Sequence, residues 1–160
     1  MARQPLNRTY LWMVILLMFV LPIISIFFEA IAQDESVAWI RLTGKWFIFW
    51  AIGLRLLTAG LRQVLTPSFT AQTVFRMKTN ESHIIIRELG FSNICMGTLG
   101  ILSIFVPEWR EAAAFVGGLY MGIAGGMHVF KRLDGPNEAI ALVSDLWVFA
   151  IMLVYLSSAR

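Results

Sequence analysis

Charge is scarce in this chain. Only 14% of its 160 residues are Asp, Glu, Lys or Arg, while 58% are hydrophobic. Soluble domains carry about a quarter charged residues, so this composition lies outside the ordinary soluble class. Cysteine is nearly absent. Cys95 stands alone inside an apolar run, which excludes an intrachain disulfide framework, a CxxC redox pair and a Cys-rich metal centre. There is no HExxH, no nucleophile elbow, no phosphate-binding glycine loop and no acidic metal cluster. No catalytic residue can be named, and the reading leans away from an enzyme. The thirteen basic residues exceed the ten acidic ones, but they are scattered between apolar runs. That pattern suits membrane flanks and does not form a nucleic-acid patch.

What the chain has instead is apolar length. A helix needs about 20 apolar residues to cross a bilayer, and five stretches reach or approach that: about 10–30, 46–65, 84–105, 112–130 and 138–156. The expected fold is therefore all-α, a single integral membrane helical bundle with five transmembrane helices. The first stretch also resembles a signal peptide, with Ala30-Ile31-Ala32 as a small-x-small cleavage site. Its apolar run exceeds the roughly 7–15 residues of a signal core, and we expect a retained helix. Pro22 should kink it, since proline removes one backbone hydrogen bond and crowds the preceding turn.

Glycine spacing suggests how the helices pack. Gly118, Gly122 and Gly126 recur every fourth residue, and Gly90, Gly97 and Gly100 share a stripe with Asn93. Residues four apart lie one above another on a helix, and such shallow grooves let membrane helices approach closely. The short connection around Pro107 makes the third and fourth helices antiparallel neighbours, and their glycine stripes are expected to face each other. The same grooves suggest a homo-oligomer.

Basic residues set the orientation. With the N-terminus inside, one face holds Arg3, Arg8, Arg62, Arg76, Lys78, Arg87, Lys131 and Arg132. The other holds Arg41, Lys45, Arg110 and Arg160, with Arg55 left in mid-membrane. Eight against four favours N-terminus inside and C-terminus outside. The Asn80-Glu81-Ser82 acceptor sequence is discounted because that topology puts it inside the cell.

On this topology Arg55, Glu88, Asn93, His128 and Asp145 fall in the inner half of the membrane, with Asp145 about 10 Å in. Intramembrane ionisable groups point to function, with a partner to be named. Arg55 is expected to pair with Asp145 or Glu88. The plain structural alternative is an Arg55–Asp145 clasp that fixes helix register. Glu88 lies roughly 140° around its helix from Asn93 at ~100° per residue, so the two need not share a pocket. His83 and His128 both lie near the inner interface, which leaves haem ligation as a minor alternative.

The stretches Leu21-Pro22-Ile23-Ile24-Ser25 and Arg87-Glu88-Leu89-Gly90-Phe91-Ser92-Asn93, with Gly97, Gly100, the 122–128 segment, Asn137 and Asp145, carry a resemblance. They resemble a family of small bacterial membrane proteins classed as a domain of unknown function and, more distantly, DoxX-type four-helix proteins. Glu88, Gly90, Phe91 and Asn93 match the family's Glu-x-Gly-Phe-x-Asn element. A histidine of that family near the end of the second helix is Gln63 here, a departure that argues against metal or haem. The DoxX-like comparison implies a compact bundle and association with quinone-linked redox complexes. The functional expectation is a non-enzymatic inner-membrane module that binds or transports a small ligand or lipid, self-associates and needs no cofactor. One alternative is a quinone- or haem-holding accessory subunit of a membrane redox partner. Another is a purely structural assembly subunit.

Overall fold

The computed structural model describes residues 6–33, 38–71, 81–130 and 135–158. Asn80 and six of the twelve residues used above for orientation (Arg3, Arg76, Lys78, Lys131, Arg132 and Arg160) lie outside them. Among the described residues every regular element is helical. Five helices among these residues are long and apolar enough to cross a membrane. They are α1 (Arg8–Ala32), α2 (Trp39–Leu65), α3 (Ser82–Leu102), α4 (Arg110–Phe130, entered through a 3-10 turn over Pro107–Trp109) and α5 (Pro136–Ser158). A one-turn helix, Pro67–Phe69, follows α2.

The helices alternate in direction. The backbone N–H of Asn7 donates to Asn137 Oδ1 at 3.0 Å, so the starts of α1 and α5 lie side by side. At the opposite end, Lys45 Nζ donates to both carboxylate oxygens of Glu29 at 2.7 Å, tying the end of α1 to the start of α2. The Trp46 indole N–H adds a third bond to Glu29, also at 2.7 Å. Helix α2 therefore begins at Trp39, earlier than the apolar run suggests. Its first turns bury Leu42, Gly44 and Phe47 while Arg41 stays exposed, so an amphipathic pattern carries the helix through residues that read as a polar connection.

Within the long helices two stretches wind as π-helix, Leu16–Val20 in α1 and Ile48–Leu54 in α2. The first immediately precedes the turn containing Pro22, where the ring crowds the backbone behind it. There the N–H of Leu21 reaches back five residues to Leu16 O. The second ends at Arg55, whose N–H reaches back to Trp50 O. Short π-helical segments inside α-helices recur at functional sites.

Glycines decide which helices approach, and here the expectation of facing α3 and α4 stripes needs correction. Gly90, Gly97 and Gly100 meet α2, not α4. A Cβ at Gly97 would lie 2.5 Å from Leu57 N, and one at Gly60 would lie 2.6 Å from Gly90 O. Backbone cannot yield as a flexible side chain can, so only glycine permits this α2–α3 contact. Gly118, Gly122 and Gly125 of α4 face α5, while Gly117 meets Ile52 of α2. A Cβ at Gly118 would lie 2.7 Å from Met152 Cβ, and one at Gly122 would lie 2.7 Å from Phe149 Cδ2. Among the described residues nothing lies within 4 Å of a Cβ added at Gly126. Spacing marks a helix as approachable, and side-chain volume on the neighbours selects the partner.

The middle of the bundle is sealed. Met18, Ile48, Ile52, Met121, Val148 and Met152 are each at most 3% exposed and belong to one apolar cluster. Outward faces carry large apolar side chains, among them Phe28, Leu65, Ile84, Phe105 and Ile123.

Candidate functional site

On the side of the seal where α1, α3 and α5 begin, the helices leave a cavity of about 310 Å³. Each contributes a face. Helix α2 lends Arg55, Ala59, Arg62 and Gln63. Helix α4 lends Tyr120, Ala124 and His128, and α5 lends Asn137, Glu138, Ala141 and Asp145. Asn7 and Tyr10 come from the start of α1, Leu89 and Asn93 from α3, and Phe69 and Thr70 from the one-turn helix and the residue after it.

Four of the five residues selected from the sequence thus line one cavity: Arg55, Asn93, His128 and Asp145. Glu88 does not. It is exposed, five residues before the buried Asn93, as the 140° between them implies. His83 does not line the cavity either, so the two histidines do not converge there. Among the described residues no group of three or more His, Cys, Asp or Glu side chains is arranged to hold a metal ion.

The expected pairing of Arg55 also needs correction. Among the described residues neither Asp145 nor Glu88 comes within 4.0 Å of its guanidinium as an ion pair. Instead the guanidinium sits 5.7 Å from the centroid of the Tyr10 ring, as a cation over an aromatic face. Its Nε is buried without a hydrogen-bond partner. Asp145 is 8% exposed. Asn93 is 2% exposed, and its Nδ2 donates to Gln63 Oε1 at 2.8 Å while its Oδ1 has no partner. Nearer the mouth, the exposed Arg62 lies 3.6 Å from the centroid of the Phe69 ring.

Buried polar atoms in folded proteins almost always find partners, and each exception calls for an explanation. Here one donor, Arg55 Nε–H, and one acceptor, Asn93 Oδ1, are left over beside the same cavity. Within it two opposite charges stand apart. Chemically, the arrangement can receive a small polar group that accepts at one point and donates at another.

Reading the sequence helix by helix misses Tyr10, Tyr120 and Thr70, yet for Tyr120 a signal was present. Three helices carry the same i, i+4, i+8 triplet of polar residue, alanine, polar residue. These are Arg55–Ala59–Gln63, Tyr120–Ala124–His128 and Asn137–Ala141–Asp145, and every member lines the cavity. Residues at this spacing share one helix face. The alanines leave the room, and the residues a turn above and below supply the polarity.

No curated protein and no solved structure matches the chain. Over residues 12–160 it matches the family of unknown function DUF6790, and it belongs to that family.

Proposed function

We propose that this protein is a multi-pass membrane protein that binds a small polar ligand or a lipid headgroup in the cavity between its helices. The observation that carries the reading is the pair of unsatisfied buried atoms, Arg55 Nε and Asn93 Oδ1, beside an unpaired Asp145. Leaving such groups unmet costs about 1–3 kcal/mol each, a cost that a ligand offsets. The cavity volume falls at the lower end of the roughly 300–1,000 Å³ of ligand pockets, which suits a metabolite-sized molecule. Five long apolar helices with apolar outer faces support membrane insertion. The basic-residue count supports a cytoplasmic N-terminus, and so places the cavity mouth on the cytoplasmic side. The likeness to small bacterial membrane proteins supports an inner-membrane location. The sealed middle favours a one-sided binding site over an open pore. Any transport then requires the seal of Ile52, Met121 and Met152 to open. Self-association remains part of the reading.

Of the two alternatives, the redox accessory subunit draws on the DoxX-like resemblance and on His128 in the cavity. Its weakness is that His83 lies elsewhere and Gln63 replaces the histidine of the resembling family. Native mass spectrometry of the detergent-purified protein tests the main reading. The wild type should retain a small-molecule or lipid mass, and the double variant Arg55→Gln/Asp145→Asn, purified in equal yield, should retain none. Equal retention by both proteins refutes a site at these residues. The same spectra give the subunit number, and a haem or quinone mass would favour the redox alternative.

A further inference from the structure

Resting on the reading of this cavity as a binding site, we propose that its ligand is a small zwitterion, with an anionic oxygen group facing Arg55 and a protonated amine facing Asp145 and Asn93.

The argument starts from what the cavity leaves unmet. Arg55 Nε–H is a buried donor without an acceptor, carried by a guanidinium that is always charged. Asn93 Oδ1 is a buried acceptor without a donor. Asp145 contributes a carboxylate, an acceptor-only group when ionised, and it does not reach Arg55 as an ion pair. A purely anionic ligand would answer Arg55 and leave Asn93 Oδ1 unmet, while adding a like charge beside Asp145. A purely cationic ligand would answer Asp145 and Asn93 but repel the guanidinium. A neutral hydroxyl could bridge the leftover donor and acceptor, yet it would leave two separated charges desolvated, which is costly away from water.

An ammonium has three donors and no acceptor, enough for Asp145 and Asn93 Oδ1 together. A carboxylate or phosphate then meets Arg55 through charge-assisted bonds, which are stronger than neutral ones. Two sources offer this chemistry, a free amino acid or amino-phosphate and the headgroup of an ethanolamine phospholipid.

The test compares ligands that differ only in the amine. Isothermal titration of the full chain, held in phosphatidylglycerol nanodiscs, would use two matched pairs: phosphoethanolamine with ethyl phosphate, and glycine with acetate. In parallel, native mass spectrometry would follow protein exchanged into nanodiscs containing phosphatidylethanolamine. The amine member of at least one pair should bind ten times more tightly or better, and Asp145→Asn should shrink that preference to threefold or less. A preference for phosphoethanolamine or glycine without retained phosphatidylethanolamine identifies a free zwitterion. Selective retention of phosphatidylethanolamine over phosphatidylglycerol identifies the headgroup, and a folded Asp145→Asn should lose it.

The wild-type ligand series needs no variant to fold, so a poorly behaved Asp145→Asn leaves the test intact. If ethyl phosphate or acetate binds as well as its amine partner and phosphatidylethanolamine is not selected, the zwitterion is wrong while a binding site stands. If none of the four probes binds and no mass is retained, the binding reading falls with it.

Discussion

The two ends of the bundle treat charge in opposite ways. At the end where α1 runs toward α2, Glu29 and Lys45 are locked together, both carboxylate oxygens at 2.7 Å from the ammonium, with the Trp46 indole completing the group. At the other end Arg55 and Asp145 line one cavity and do not touch. Both arrangements arise in the same chain and from the same residue chemistry. A fold that can clasp a cation to an anion within three bonds at one end has evident means to do so at the other. The separation of Arg55 from Asp145 therefore argues against a register-fixing clasp and for a space kept open. The alanines of the three triplets are what keep it open.

The largest effect on stability is expected at the clasped end. Glu29→Ala removes the acceptor for both Lys45 and Trp46, which are only partly solvated; the Lys45 and Glu29 side chains are 20% and 23% exposed. Losing charge-assisted bonds of this kind should cost about 1.5–3 kcal/mol, read as a lowered midpoint in thermal or denaturant unfolding of the purified protein. Asp145→Asn, its counterpart at the open end, should cost less than about 1 kcal/mol in ligand-free protein, because no direct pair is broken. Breaking a true buried pair would cost about 3–5 kcal/mol. A loss of that size at Asp145 would erase the contrast between the ends and restore the clasp.

Much of this was legible in the sequence. Apolar run lengths mark the five helices, and counting depth from each helix end brings Arg55, Asn93, His128 and Asp145 into one layer. Angular position along the helix already separates Glu88 from Asn93. Helix pairing was not legible. Gly97 and Gly122 look alike in sequence, but one meets the backbone of α2 and the other the ring of Phe149. Which occurs depends on neighbours that spacing does not specify. The π-helical turns were also invisible, because hydrophobic periodicity does not report a hydrogen bond that reaches back five residues instead of four. Neither Tyr10 nor Tyr120 stands out in a helix-by-helix reading of the sequence. Only the alanine between Tyr120 and His128 marked that face as lining a space.

The smallest effect on stability should come from closing that space. Ala124 lies one turn from both Tyr120 and His128 and lines the cavity. Overpacking a filled core costs about 1–3 kcal/mol, but at Ala124 the added atoms of leucine have a void to enter. They also bury further apolar surface, each added CH₂ contributing about 0.8 kcal/mol. Ala124→Leu should therefore leave the unfolding midpoint close to that of the wild type while removing the ligand mass from the native spectrum. Glu29→Ala should do the reverse, lowering the midpoint and keeping the ligand. Crossed effects of this kind would separate an end that holds the fold together from an end that holds something else. If Ala124→Leu instead destabilises the protein as much as Glu29→Ala does, the cavity is packed core and the two ends differ only in detail.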